Sequence, residues 1–249
     1  MGVQSADPGT LAQFAVRAPA AWRPARSGCA DRLYSLTWDA ESACHVLTLG
    51  PHMVHRATSL DVVLDALEID ARHFVAQFAR RSVFVHAGSV AVAGRAVVIP
   101  GRSGTGKSTM VAALLRRGAT YYSDEYAVFD QRGRVRSYPK PLSLRVEASS
   151  AALAGFGPSN VHRRPTLPLG AVVSGCFTGV NTTWRPRTES AGHAMMALLD
   201  NTVAIRRQPA MSLAFLARAL GDVVVLVGPR GDAGEAAENL LGFLDRHWR

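Results

Sequence analysis

The sequence predicts an α/β fold: a mostly β core sheet flanked by helices and carrying a P-loop, with a small N-terminal α+β lead-in. Three observations predict it. The apolar run Ala96-Val97-Val98-Ile99 reads as a buried strand and leads into Gly101–Ser108, which fits G-x-x-x-x-G-K-[ST]. Met110–Leu115 follows as a helix, and strand–loop–helix is the context that this Walker A motif needs. Two further apolar runs, Ala171–Phe177 and Val223–Gly228, read as core strands separated by helical stretches.

Residues 1 to 30 hold Pro8, Pro19 and Pro24 among small residues and are expected to be poorly ordered. Residues 31–81 form the lead-in: alternating strands at Leu33–Trp38 and His45–Leu49, then a helix from an N-cap at Ser59 to about Arg80. The main domain, 82–249, opens with Val83–Gly94, which reads as two strands, and a tight turn at Ala93-Gly94-Arg95. After the P-loop helix, Arg116-Arg117-Gly118 is a helix stop. A strand at Ala119–Ser123 ends on Asp124-Glu125, and Tyr126–Asp130 pairs back with Val135–Tyr138 across a polar turn. Prolines hold Tyr138–Arg145 extended, and Gly155–Pro168 reads as a mobile loop. Helices around Glu189–Asn201 and Ala210–Leu220, the Val223–Gly228 strand and an amphipathic helix over Gly231–Arg246 complete the domain.

Composition narrows the function classes. With 48% hydrophobic residues the 249-residue chain can pack a sizeable core. It has no apolar run long enough to span a membrane and no apolar stretch of signal-peptide type in its first thirty residues, so a cytoplasmic protein with no membrane partner is expected. Cys29, Cys44 and Cys176 are too far apart to read as a metal site. The net charge of +9 comes largely from scattered arginine pairs, which argues against nucleic acid as the principal partner. Only two of the 28 basic residues are lysines, Lys107 and Lys140.

Lys107 stands where a P-loop requires an ammonium, which singles out Lys140 as a second candidate. Gly101, Arg102, Ser103, Gly104, Thr105, Gly106, Lys107, Ser108 and Thr109 are the expected nucleotide-binding residues. In such a loop, inward-pointing N–H groups and the helix dipole receive phosphates. Lys107 reaches the β/γ-phosphates there and the Ser108 hydroxyl takes Mg²⁺. Asp124 and Glu125, at the end of the next strand, can organise Mg²⁺ or accept a proton from an attacking hydroxyl. His86 ends a strand expected beside the P-loop strand and is either a core residue or an acid, base or phosphate contact.

Over His86–Asp130 the chain resembles the catalytic domain of HPr kinase/phosphorylase. The resemblance rests on His86-Ala87-Gly88, the loop Gly101–Ser108, Arg117-Gly118 and the acid pair Asp124-Glu125. Fifteen residues separate His86 from Gly101 and sixteen separate Ser108 from Asp124. In that family the acid pair is Asp-Asp and its second member accepts the proton; the resemblance puts that role on Glu125, with Asp124 able to share it. Beyond Arg145 the resemblance fades. Glu147 is a weak stand-in for the family's magnesium-binding glutamate, and Arg163 and Arg164 lie in a loop that cannot be aligned with its catalytic arginine loop. The family's regulatory N-terminal domain has no counterpart, as in stand-alone relatives that phosphorylate peptide precursors.

The resemblance implies an ATP- and Mg²⁺-dependent kinase with His86, Lys107, Asp124 and Glu125 as catalytic residues and Ser108 and Asp124 at the metal. Lys140, Arg145, Arg163 and Arg164 are candidates for a phosphate or substrate clamp. The acceptor would be a serine of a peptide or small protein, or a small-molecule alcohol. The family forms rings of subunits, so a homo-oligomer is part of the same implication. A nucleotide-binding regulator without transfer activity and a partner-coupled NTPase are the alternatives.

Overall fold

A computed structural model describes residues 1–17, 28–138, 140, 142, 164–179 and 182–248. The chain divides into two compact units, Met1–Phe78 and Ala79–Arg249.

The first unit contains β1 (Gly2–Ser5), α1 (Pro8–Arg17), β2 (Leu33–Asp39), β3 (Cys44–Leu49), β4 (His52–Ala57) and α2 (Leu60–Phe78). Its sheet runs β1-β2-β3-β4, with β1 parallel to β2 and the other pairs antiparallel. Tyr34, Leu36 and Leu47 pack against Val63, Leu64 and Leu67 of α2 to form its core. Residues 2–17, expected to be poorly ordered, instead form β1 and α1. The cause is local: the Asp7 carboxylate accepts from the N–H groups of Gly9 and Thr10, so Asp7-Pro8 is an N-cap followed by a proline in the first turn rather than a disorder signal. β4 was also not foreseen. Its His, Met and Arg side chains give no clean alternation; it pairs with β3 at a sheet edge, and Val54 and Ala57 pack against the core of this unit.

The second unit contains β5 (Ser82–Val92), β6 (Arg95–Pro100), α3 (Lys107–Arg116), β7 (Thr120–Ser123), β8 (Tyr126–Asp130), β9 (Val135–Arg136), β10 (Leu169–Ser174), β11 (Arg187–Thr188), α4 (Ala191–Leu199), α5 (Pro209–Ala219), β12 (Val224–Val227) and α6 (Ala233–His247). Among the described residues these strands form an eight-stranded sheet ordered β11-β12-β10-β6-β5-β8-β9, with β7 paired to the second half of β5. β6, β10 and β12 are mutually parallel, and β5 runs antiparallel to β6. The unit is therefore mixed α/β, a central sheet flanked by helices.

The core strands read as unbroken apolar runs because both faces are covered. Val97, Ile99, Ala171, Val173, Val224 and Leu226 face α3 and α6. Their neighbours Ala96, Val98, Val172 and Val225 face α4 and α5. Among the described residues no helix is long and apolar enough to cross a membrane.

The stretch expected as two strands is one strand of 11 residues, β5. Its two halves have different partners: Ser82–His86 pair with β8, and Ala87–Val92 pair with β6. Gly88, which punctuates the run, is a point of close approach rather than a turn. A Cβ there would stand 2.7 Å from Val111 Cγ2 and 3.8 Å from Lys107 Cβ, so its absence lets the first turns of α3 lie against the sheet. Gly88→Val should therefore destabilise the domain by about 1–3 kcal/mol through overpacking. An unchanged urea midpoint would show that α3 does not need this contact.

Candidate active site

The site is built where β6 ends. The chain leaves the sheet at Pro100, and the Gly101 N–H donates to the His86 carbonyl at 3.2 Å. Residues 101–106 then curl into the start of α3. Gly104 (φ 88°) and Gly106 (φ 81°) occupy the left-handed region that side chains rarely adopt. Gly106 is also the N-cap, and no side chain caps the helix. The first N–H groups of α3 therefore lack intrahelical acceptors, at the positive end of the helix dipole. Lys107 is only 6% exposed. Its Nζ donates to the Arg102 carbonyl at 2.7 Å, and Thr105 Oγ1 donates to the same oxygen at 2.9 Å.

The acid pair stands at the break between β7 and β8. Ser123 Oγ accepts from the N–H groups of Glu125 and Tyr126, each at 3.0 Å, which fixes the turn. Asp124 is 5% exposed. Ser108 Oγ donates to its Oδ2 at 3.1 Å, and the Tyr121 hydroxyl lies 3.0 Å from its Oδ1. Burial and the Asp124 charge push the Tyr121 phenol far above its ordinary pKa, so it stays a donor. Glu125 Oε2 forms an ion pair with Lys140 Nζ at 2.7 Å. The backbone carbonyl of Lys140 lies 2.8 Å from the Tyr121 hydroxyl, which ties the Lys140 segment to the acid turn.

His86 lies beside this turn. Its Nδ1 is 2.8 Å from the Glu125 carbonyl, an acceptor only, so Nδ1 carries the proton and Nε2 of the neutral ring holds a lone pair. Burial first, and the charges of Lys107 and Lys140 after it, move the His86 pKa below its ordinary value, against the opposing pull of the Glu125 carbonyl. His86 thus stays neutral and presents Nε2 as a hydrogen-bond acceptor.

Arg230, in the turn after β12, was not among the residues expected at the site. It is 3% exposed, and Nη2 donates to the Thr105 carbonyl at 2.9 Å. A Cβ on Gly106 would stand 2.8 Å from the same nitrogen. Among the described residues no ion pair neutralises it. A buried guanidinium, an ammonium and a helix N-terminus thus converge on one loop, an arrangement that favours an anion. The available signal was Gly228-Pro229-Arg230-Gly231 at the carboxyl end of a core strand, where α/β sheets place ligands.

The structure brings His86, Lys107, Ser108, Asp124, Glu125 and Lys140 together with the 101–106 loop. Arg164 precedes Pro165, whose carbonyl accepts from the Tyr122 hydroxyl at 2.8 Å, and the Tyr122 ring packs in the α4/α5 layer. Among the described residues no hydrogen bond or ion pair joins Arg164 to the loop. Arg145 and Arg163 lie outside the described residues, as do Glu147 and most of the 155–168 loop.

No family model matches the chain, and no curated protein matches it. Among solved structures the chain is similar to the Hpr(Ser) kinase/phosphatase from Coxiella burnetii, at 15% identity and a TM-score of 0.38, over 66% of this chain and 97% of that one. This is a likeness of layout; the chemistry of the site stands on its own residues.

The His86 geometry is testable by NMR. At pH 7 the ring ¹⁵N shifts should report a neutral imidazole protonated on Nδ1. Because the folded pKa lies below the unfolded value of about 6.5, the stability that neutral His86 contributes is present above that pH and lost as pH falls through the folded pKa. A ring already cationic at pH 7 would contradict this placement.

Proposed function

We propose that the protein is an ATP-dependent phosphotransferase of the HPr-kinase-like kind, moving the γ-phosphate to a hydroxyl. The observation that carries the reading is the convergence on one loop of Lys107, the Ser108–Asp124 contact and the Glu125–Lys140 pair. The uncapped start of α3 and the N–H groups of the 101–109 segment hold the triphosphate, with Lys107 turning from the Arg102 carbonyl to the β/γ-phosphates.

The residues present fit a magnesium ion. Ser108 Oγ and the Asp124 carboxylate are hard oxygen donors 3.1 Å apart. Magnesium commonly takes one or two protein oxygens and completes its shell with phosphate and water. Ser108 and Asp124 would hold the ion, and it would supply neutralisation of phosphate charge.

Asp124 is engaged by Ser108 and Tyr121, which suits it to hold position. Glu125 is the proton acceptor for the incoming hydroxyl, and neutral His86 sets its backbone and offers Nε2 as a second acceptor. Lys140 pairs with the Glu125 carboxylate and serves as the clamp when phosphate draws its ammonium away. The acceptor is a serine of a peptide or small protein, or a small-molecule alcohol.

The Glu125–Lys140 pair also favours a second reading, a nucleotide-binding regulator whose carboxylate stays masked. Incubation with γ-labelled ATP, Mg²⁺ and an extract of the host, beside Lys107→Ala, separates the readings. Label on a discrete acceptor, lost in the variant, is the expected result. Free phosphate alone points to an NTPase, and bound ATP without turnover points to the regulator. Glu125→Gln should lower kcat by about 10²–10⁴ while ATP still binds. Normal turnover in that variant would remove Glu125 from the role of base.

A further inference from the structure

A cavity of about 410 Å³ opens on the other flank of the loop. Its floor is Val172 of β10 with Val225 and Val227 of β12, side chains of the α4/α5 face. Its wall is α4, with Ala197 on the side and Asp200 and Asn201 at the rim. Gly101, Arg102 and Thr105 of the loop close the remaining edge. Asp200 is exposed and offers a carboxylate. The Asn201 amide NH₂ is engaged by the Ala197 carbonyl, which leaves its oxygen as an acceptor. The cavity therefore combines an apolar floor with polar groups, among them His193 and the oxygens of Asp200 and Asn201.

Its position relative to the acid turn is informative. Gly88 and Tyr121 lie on the α3 face of the sheet, and Lys107, Asp124 and Glu125 cluster there with the imidazole of His86. The cavity lies on the α4 face, across the loop from that group. In phosphoryl transfer the attacking and leaving oxygens stand roughly in line on opposite sides of the phosphorus. If the attacking hydroxyl gives its proton on the acid side, the leaving diphosphate extends toward the cavity.

We propose that this cavity is the nucleoside subsite, taking the base against the Val172–Val225–Val227 floor and the ribose hydroxyls at Asp200 and Asn201. This rests on the nucleotide-dependent reading above. It assigns the acceptor to the opposite flank, beside Glu125. The phosphoryl group passes from the terminal oxygen of the nucleoside diphosphate to the acceptor oxygen, and the acceptor proton goes to Glu125.

Tripolyphosphate, which carries the phosphates without a nucleoside, separates the two levels of the claim. Ala197→Phe fills the cavity, and Asp200→Ala removes the exposed carboxylate and keeps the test in hand should the first variant not fold. Calorimetry should show ATP affinity falling about tenfold or more in each, with tripolyphosphate affinity held within about twofold. On the wild-type protein, 8-azido-ATP should label peptides from 172–176 or 193–201. Unchanged ATP affinity in both variants overturns the assignment, as does labelling of the β7–β8 segment instead. Loss of acceptor phosphorylation with ATP affinity intact gives the cavity to the acceptor and overturns it equally. A wild-type protein that binds tripolyphosphate but gains nothing from the nucleoside defeats this inference alone. One that binds neither defeats the nucleotide reading, and this inference with it.

Discussion

Two consecutive peptide units of β5, at His86 and Ala87, join every part of the site. The His86 carbonyl receives the Gly101 N–H, its own N–H donates to Asn201, and the Ala87 N–H donates to the Glu125 carbonyl. The His86 ring adds a fourth bond to that same carbonyl. Each such bond contributes only about 0.5–1.5 kcal/mol net. Together they set the first residue of the loop, the acid turn and the end of α4 in one register. A shift of β5 by one residue would exchange its two faces and separate the loop from the acids.

The electrostatic arrangement follows from that frame. On the loop side, Lys107, Arg230 and the open start of α3 bring positive potential. On the turn side, Asp124 is held by two hydroxyls and Glu125 by the Lys140 ammonium. The site thus carries its positive and negative halves side by side. Carboxylates directly among the loop N–H groups would compete for the place of a phosphate. At the break of β7 and β8 they are close enough to meet a hydroxyl while leaving that place open.

The sheet also divides the surroundings of the loop. Its α3 face carries His86 and the acid pair, and its α4 face carries a cavity lined by valines of β10 and β12 with Asp200 and Asn201. Alternation along β6, β10 and β12 produces this division, because successive side chains of each strand point to opposite layers.

The sequence by itself determined the features that depend on neighbours along the chain. The 101–108 loop, its strand and helix, and the acid pair after the next strand are contiguous patterns governed by local sterics and periodicity. The Asp7-Pro8 cap was equally local, and was legible in the residues although composition pointed to disorder. The tertiary structure alone decided the rest. Arg230 meets Thr105 across 125 positions, and Lys140 finds Glu125 because the Tyr121 hydroxyl ties its backbone to the acid turn. The Tyr122 hydroxyl meets the Pro165 carbonyl across 43 positions, a pairing no spacing encodes. β5 serves two sets of partners as one strand because Gly88 admits α3 instead of turning. Such pairings depend on which face of a distant element is buried, and burial is settled only when the whole core packs.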